Sequence, residues 1–284
     1  MDVIEQPVIL TEVTDRIGII TMNRPSRRNA LNGYLIKALG EAVEEMASRD
    51  DVKIVILTGS AGEGAHGGFS SGGDTKEGGM IPGETESRGV PRDALTGDLS
   101  RHDLHASMLL HQMPKPTIAM IGGAAVGAGC SLAAACDLRF ASDDAVFAAS
   151  FAPNGLSGDY GGSFLWTRII GTARARELYF MNEKISAQRA FEWGMVNRVL
   201  PAAELRAFTL ATAQQMLRTP ASIWALTKDN LNQAEDDVDR RRHLFANEAT
   251  NMVASSQAIA ERMLAKANTA KANTAKAKAT ETTR

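Results

Sequence analysis

Three short stretches hold residues whose types and spacing could do chemistry. "GLSGDYGGS" (155–163) carries one carboxylate, Asp159, in a region otherwise nearly free of charge. "FSSGGD" (69–74) and "AAVGAGCS" (124–131) are runs of small residues. Each follows a strand-like stretch, and the second also opens a helical pattern. Small residues let a ligand come close to backbone N–H groups. At a helix start those N–H groups lack partners, and the dipole favours negative charge. Two such turns facing each other would form a two-donor hole for an oxyanion. An acid beside that hole could move a proton. The plainer readings stand next to these. Glycine turns also serve to pack a strand tightly against a helix. Asp159 could simply cap the helix of "YGGSFLWTRII", with Ser163 as a second candidate cap. Neither turn contains G-x-G-x-x-G or G-K-[ST], so a phosphate cradle is the weaker functional reading.

The surrounding elements must position these turns. Val8 to Val13 and Ile17 to Met22 read as two strands of a hairpin around "TDRIG". Asn32 can cap a helix over Leu35, Leu39, Val43 and Met46, an amphipathic spacing. Val52 to Thr58, "VKIVILT", is a β-branched strand, and Gly59 to Gly83 is irregular. Asp98 to Gln112 reads as helix. The strand "TIAMI" follows, then a helix starting near Val126 to Gly129. "DLRFAS" and "AVFAA" are strands. "ISAQRAFEWGMVNRVLP" gives a short helix, a glycine stop at Gly194 and a strand. Alternating strands and helices argue for an α/β core. The domain reading is a core over 1–200, a helical region over 201–266 and a low-complexity tail over 267–284. The tail, rich in the repeat KANTA, has no large apolar residue with which to build a core.

Composition narrows the function classes. The 284 residues are 44% hydrophobic, with a net charge of −2 and a sequence pI near 6.2. That balance gives no electrostatic case for nucleic acid or an anionic membrane as partner. The two cysteines, Cys130 and Cys136, form no Cys-x-x-Cys pattern and read as buried thiols. Thr117 to Ala135 is long and uncharged enough to mimic a membrane span. Its glycines and the prolines before it point instead to a buried strand, turn and helix. The N-terminus lacks a basic and apolar leader pattern, so the expected location is cytoplasmic. His102, His105 and His111 lie near one another but do not make a zinc ligand set, and no metal site is expected.

Together the segments resemble the crotonase (enoyl-CoA hydratase/isomerase) superfamily. They are, in order, "NRPSRRNALN", "VKIVILTG", "FSSGGD", "MPKPTIAMIGGAAVGAGCSLAAACDLRFAS", "GLSGDYGGSFLWTRIIG" and "AFEWGMVNRVLP". The resemblance implies an α/β fold, a spiral of ββα units with a C-terminal helical trimerisation region. It implies a homotrimer or hexamer, an acyl-CoA thioester as substrate, and no cofactor beyond the CoA that is part of it. It implies that the backbone N–H groups of Gly73 and Ala128 hold the thioester oxygen, and that Ala30 and Ser71 line the CoA path. Arg27 and Arg28 are possible phosphate contacts, as are Lys266 and Lys271. The Lys76 to Leu104 loop and residues near Trp166 would shape the acyl pocket.

One departure changes the expected reaction. Family hydratases use two glutamates, and this sequence has Ser131 and Phe151 at those positions. Neither is a carboxylate, although Ser131 could hold a water. Asp159 falls on the turn where several family isomerases, and the family's aryl-CoA dehalogenase, place an acid. The leading expectation is an isomerase-type double-bond shift through an enolate, with Asp159 as proton shuttle and partial burial raising its pKa. Alternatives are an enoyl-CoA hydratase, an acyl-CoA hydrolase or dehalogenase using Asp159, and a non-catalytic CoA-binding scaffold.

Overall fold

Alternation along the central strands decides the architecture. In β2 (Ile17–Met22), Ile17 and Ile19 join one apolar cluster, while Ile20 and Met22 join another. β3 (Ile54–Gly59) and β4 (Thr117–Ile121) divide in the same way. Ile54, Ile56, Ile118 and Met120 face one side, and Val55, Leu57, Ala119 and Ile121 the other. Neighbouring side chains on a strand point to opposite faces, so strands apolar at nearly every position are buried on both. This computed structural model describes residues 7–62, 68–76, 102–154, 156 and 158–236, with the backbone alone for 102–105 and 235–236.

Those strands belong to a sheet of order β1-β2-β3-β4-β6-β9, with β1 at Ile9–Thr14, β6 at Leu138–Ser142 and β9 at Arg198–Leu200. β1 and β2 form an antiparallel hairpin, and the remaining pairs are parallel. One face is covered by Leu205 and Ala213 of α6 (Ala202–Met216). The other carries α1 (Gly33–Ser48), through Leu35, Leu39, Val43 and Met46, and α2 (His102–Gln112), through Leu110. The Asn32 side chain accepts a hydrogen bond from Leu35 N at 3.0 Å, the cap expected from sequence.

A second sheet, β5-β7-β8, stands apart from the first (β5 Ala124–Val126, β7 Val146–Ala148, β8 Ile185–Ser186). The sequence reading ran from "TIAMI" directly into a helix and did not separate β5. At three residues it is too short to show a period. α3 (Ala128–Ala135) follows, buried along its whole length. α4 (Gly162–Phe180) is broken at Gly171, whose φ of 77° and ψ of 160° are not helical. α5 (Ala187–Trp193) ends at Gly194 in the left-handed region, the expected stop.

The apolar run 117–135 is therefore β4, β5 and α3, all core. Among the described residues no helix is long and apolar enough to cross a membrane. The chain divides into two units, Met1–Arg218 and Thr219–Arg284, and α7 (Ala221–Asp236) is the described part of the second. The KANTA tail, with Lys266 and Lys271, lies outside the described residues, as does most of the Lys76 to Leu104 loop.

Candidate active site

The segment Ser70 to Asp74 is held on both flanks. On one side Ser71 N donates to Arg28 O at 3.0 Å, Leu31 N to Gly72 O at 2.8 Å and Asp74 N to Leu31 O at 2.9 Å. Ala30, buried at 8% exposure, thus sits beside Ser71 and Gly72. On the other side Ser70 N donates to Ala124 O, and Val126 N to Ser70 O, both at 2.9 Å. This is a parallel bridge with Ser70 beside Ala125. The same bridge brings Gly72 against Gly127, the residue before α3. A Cβ on Gly72 would stand 3.5 Å from Gly127 Cα and 2.7 Å from Val126 O, and its φ is +91°. Only glycine fits there.

Gly73 and Ala128, the two residues the resemblance points to, each follow one member of that glycine pair. Ala128 is the first residue of α3, so its N–H has no acceptor within the helix. Among the described residues, neither Gly73 N nor Ala128 N makes a backbone hydrogen bond outside helices and strands. A Cβ on Gly73 would meet nothing within 4 Å, so space stands open next to that peptide. An N–H at a helix start and one beside open space are donors of the kind an oxyanion hole uses.

An ion-pair cluster locks this cradle. Asp74, 5% exposed, accepts from Arg27 Nη2 at 2.8 Å, from Arg24 Nη1 at 3.1 Å and from Lys76 N at 3.0 Å. The bond from Lys76 N shapes the turn after Asp74, and the two arginines add to it. Arg27, read from sequence as a possible phosphate contact, has its guanidinium on Asp74. Arg28 is exposed, with φ at 51°.

Ser131 lies one helical turn after Ala128, on the same side of α3. It is 1% exposed, and its Oγ faces Gly127 O at 3.5 Å. Phe151, 5% exposed, stacks on Tyr179, with ring centroids 6.0 Å apart and planes 14° apart. The turn that carries Asp159 comes against Ser131. A Cβ on Gly162 would collide with Ser131 Oγ and stand 2.7 Å from Tyr179 Oη. Burial pushes the Tyr179 phenol well above its ordinary range, and the Ser131 hydroxyl opposes that push. Burial likewise pushes the Cys130 thiol up to about 12, which makes it inert.

Asp159 itself is exposed, contrary to the partial burial expected from sequence. Its Oδ1 accepts from Tyr160 N at 2.8 Å, and its carbonyl accepts from Gly162 N at 3.1 Å. It does not cap α4. The cap residue is Gly161, in the left-handed region, with no side-chain hydrogen bond. Ser163 lies inside the helix, and its carbonyl accepts from Thr167 Oγ1 at 2.7 Å. Neither Asp159 nor Ser163 occupies the α4 cap position. Tyr160 is core wall at 3% exposure.

A family model described as enoyl-CoA hydratase/isomerase matches residues 12–278. This chain belongs to that family. It is an enzyme of the family, with the crotonase fold. It is 33% identical over 247 residues to 4-chlorobenzoyl coenzyme A dehalogenase-1 of an Arthrobacter species, covering 87% of this chain and 85% of that one. It is 34% identical to a Mycobacterium tuberculosis protein named probable enoyl-CoA hydratase echA8, over 80% of this chain and 81% of the other. It is 32% identical to 1,2-epoxyphenylacetyl-CoA isomerase of Escherichia coli K12, over 80% and 82%. Among solved structures, a Thermobifida fusca YX protein in complex with CoA superposes with a TM-score of 0.76 at 29% identity, covering 90% of this chain and 95% of that one.

Among the described residues no group of His, Cys, Asp or Glu could hold a metal ion. His102 and His105 have no described side chains. Sequence reasoning missed Tyr179 altogether. The signal that could have found it was Gly171 in "RIIGTAR", a break that turns the second half of α4 back toward its own start.

Proposed function

We propose that the enzyme shifts a double bond within an acyl-CoA thioester. The thioester oxygen is held by the N–H groups of Gly73 and Ala128, which lowers the pKa of the neighbouring carbon. The Asp159 carboxylate takes a proton from that carbon, the oxygen carries the enolate charge, and Asp159 returns the proton two carbons further along. Nothing is gained or lost overall, and no cofactor takes part. The observation that carries this reading is the placement of one carboxylate. The Asp159 turn rests on Ser131, one helical turn from Ala128, while Ser131 and Phe151 supply no acid. Ala30 and Ser71, along the cradle, line the path of the CoA chain. The similarity to a protein solved with CoA supports the substrate class.

A second reading uses the same acid as a nucleophile. It is favoured by the exposure of Asp159 and by the 33% identity to a 4-chlorobenzoyl-CoA dehalogenase. The carboxylate would attack the ring carbon bearing chlorine and expel chloride. Water would then release the aryl product.

One experiment separates them. Wild type and Asp159→Asn are incubated with 3-enoyl-, 2-enoyl- and 4-chlorobenzoyl-CoA, and products are followed by mass. Isomerisation of 3-enoyl-CoA, abolished in Asp159→Asn, is the expected result. An aryl adduct on the Asp159 peptide would establish the second reading. Undiminished activity in Asp159→Asn would remove Asp159 from both. Binding of CoA esters without turnover would leave a scaffold.

A further inference from the structure

We propose that Tyr179 is the positioning residue of Asp159, fixing the turn that carries the carboxylate to the helix that carries an oxyanion donor. This inference rests on the reading of Asp159 as proton shuttle.

The five-residue turn Gly158 to Gly162 touches Tyr179 at both ends. A Cβ on Gly158 would stand 3.7 Å from Tyr179 Cε1, and one on Gly162 would stand 2.7 Å from Tyr179 Oη. Asp159 lies between those two points. The same Gly162 carbon is crowded by Ser131 Oγ, so the phenol, the serine hydroxyl and the turn meet at one place. Ser131 is rigidly placed relative to Ala128, three residues earlier in α3. Phe151 stacks flat on the Tyr179 ring and leaves it little freedom. Tyr179 reaches this place because the backbone at Gly171, with φ +77°, breaks α4 and returns its second half toward Gly162.

The consequence is geometric. Asp159 is an exposed side chain on a glycine-rich turn, and such a turn samples several positions unless something holds it. Proton transfer needs its carboxylate within hydrogen-bond reach of the reacting carbon. A displacement of about 1 Å in such a group costs on the order of 100-fold. Tyr179 is the side chain that bridges both ends of the turn to α3, and its hydroxyl is the link to Ser131.

The test is Tyr179→Phe, which keeps the ring stacked on Phe151 and over Gly158 and removes only the hydroxyl. Ser131→Ala cuts the same link from the other side. The expected result for Tyr179→Phe is a fall in kcat of about 10- to 100-fold, with KM within about twofold and Tm nearly unchanged. In an Asp159→Asn background, Tyr179→Phe is expected to add nothing further, because a residue that acts only through Asp159 has no effect once the carboxylate is gone. Full kcat in both Tyr179→Phe and Ser131→Ala would overturn the proposal, as would additive losses in the double variant. An Asp159→Asn enzyme with wild-type activity would instead overturn the shuttle reading, and the positioning role with it. A Tyr179→Phe protein that fails to fold leaves Ser131→Ala to decide. Wild-type kcat there would sink the proposal, and a 10- to 100-fold loss at unchanged KM would support it.

Discussion

The oxyanion cradle and the Asp159 turn are built by opposite means. The cradle, Ser70 to Asp74, is paired with Arg28 to Leu31 on one side and Ala124 to Val126 on the other, and a buried carboxylate holds two arginines beneath it. Every donor it offers is backbone. The Asp159 turn carries its acid on an exposed side chain, accepts a local hydrogen bond from Tyr160 N, and packs at Gly162 against Tyr179 and Ser131. Apart from proline, no substitution removes a peptide N–H, so a site built from such donors depends mainly on backbone shape. A carboxylate can be placed, moved or lost by single substitutions. On the proposed reading, the substrate oxygen is held by the first kind of group and the reaction is chosen by the second.

The sharpest test of that separation is Asp159→Asn. The expected loss in kcat is about 100- to 10,000-fold, the range for a general acid–base group. Tm should not fall, since Asp159 caps no helix. A drop in Tm comparable to a lost cap, with activity intact, would reverse the assignment. The cradle is broken next by Ala128→Pro. Proline is tolerated at the first position of a helix, where its missing N–H had no helical acceptor. The substitution therefore deletes one donor and keeps α3. The expected cost is about 100- to 1000-fold in kcat. Wild-type kcat in a folded Ala128→Pro enzyme would show that Ala128 N–H does not touch the reacting oxygen.

Asp74→Ala tests the scaffold of the cradle. Its carboxylate is buried against Arg24 and Arg27, and removing it takes the anionic partner from a nearly buried Arg24 guanidinium. Breaking a buried pair in this way costs about 3 kcal/mol or more, read as a lowered denaturation midpoint at unchanged m-value. kcat should fall about tenfold as Gly73 loses its fixed place. Unchanged stability would mean that the backbone pairing alone holds the segment.

Much of this was legible in the sequence, and the reasons differ by element. β3 and β4 announce themselves as β-branched runs, and Asn32 and Gly194 are punctuation with local chemical causes. Gly73 and Ala128 could be named only through the family resemblance, because glycine turns on their own have as many structural uses as functional ones. What the sequence did not show was long-range. The bridge that sets Ser70 beside Ala125 joins residues 55 positions apart, and nothing local to either encodes it. Tyr179 closes "ELY" in an ordinary helical pattern, and its place against Gly162 goes with the break of α4 at Gly171. The exposure of Asp159 is likewise not local information, because burial depends on which elements pack over the turn.

The smallest effect distinguishes the two regions by their helix starts. Asn32 caps α1 immediately after Leu31, which pairs with the cradle, and its side chain is 7% exposed. Asn32→Ala should lower stability by about 1 kcal/mol, the ordinary cost of a lost side-chain cap. Ser163 opens no helix: α4 begins behind Gly161 with no side-chain cap at all. Ser163→Ala should therefore shift stability by less than about 0.5 kcal/mol, as for a surface substitution away from special features. Equal costs at the two positions would mean that Ser163 caps α4 in solution. The Asp159 turn would then carry a side-chain anchor that the cradle comparison assigns to Tyr179.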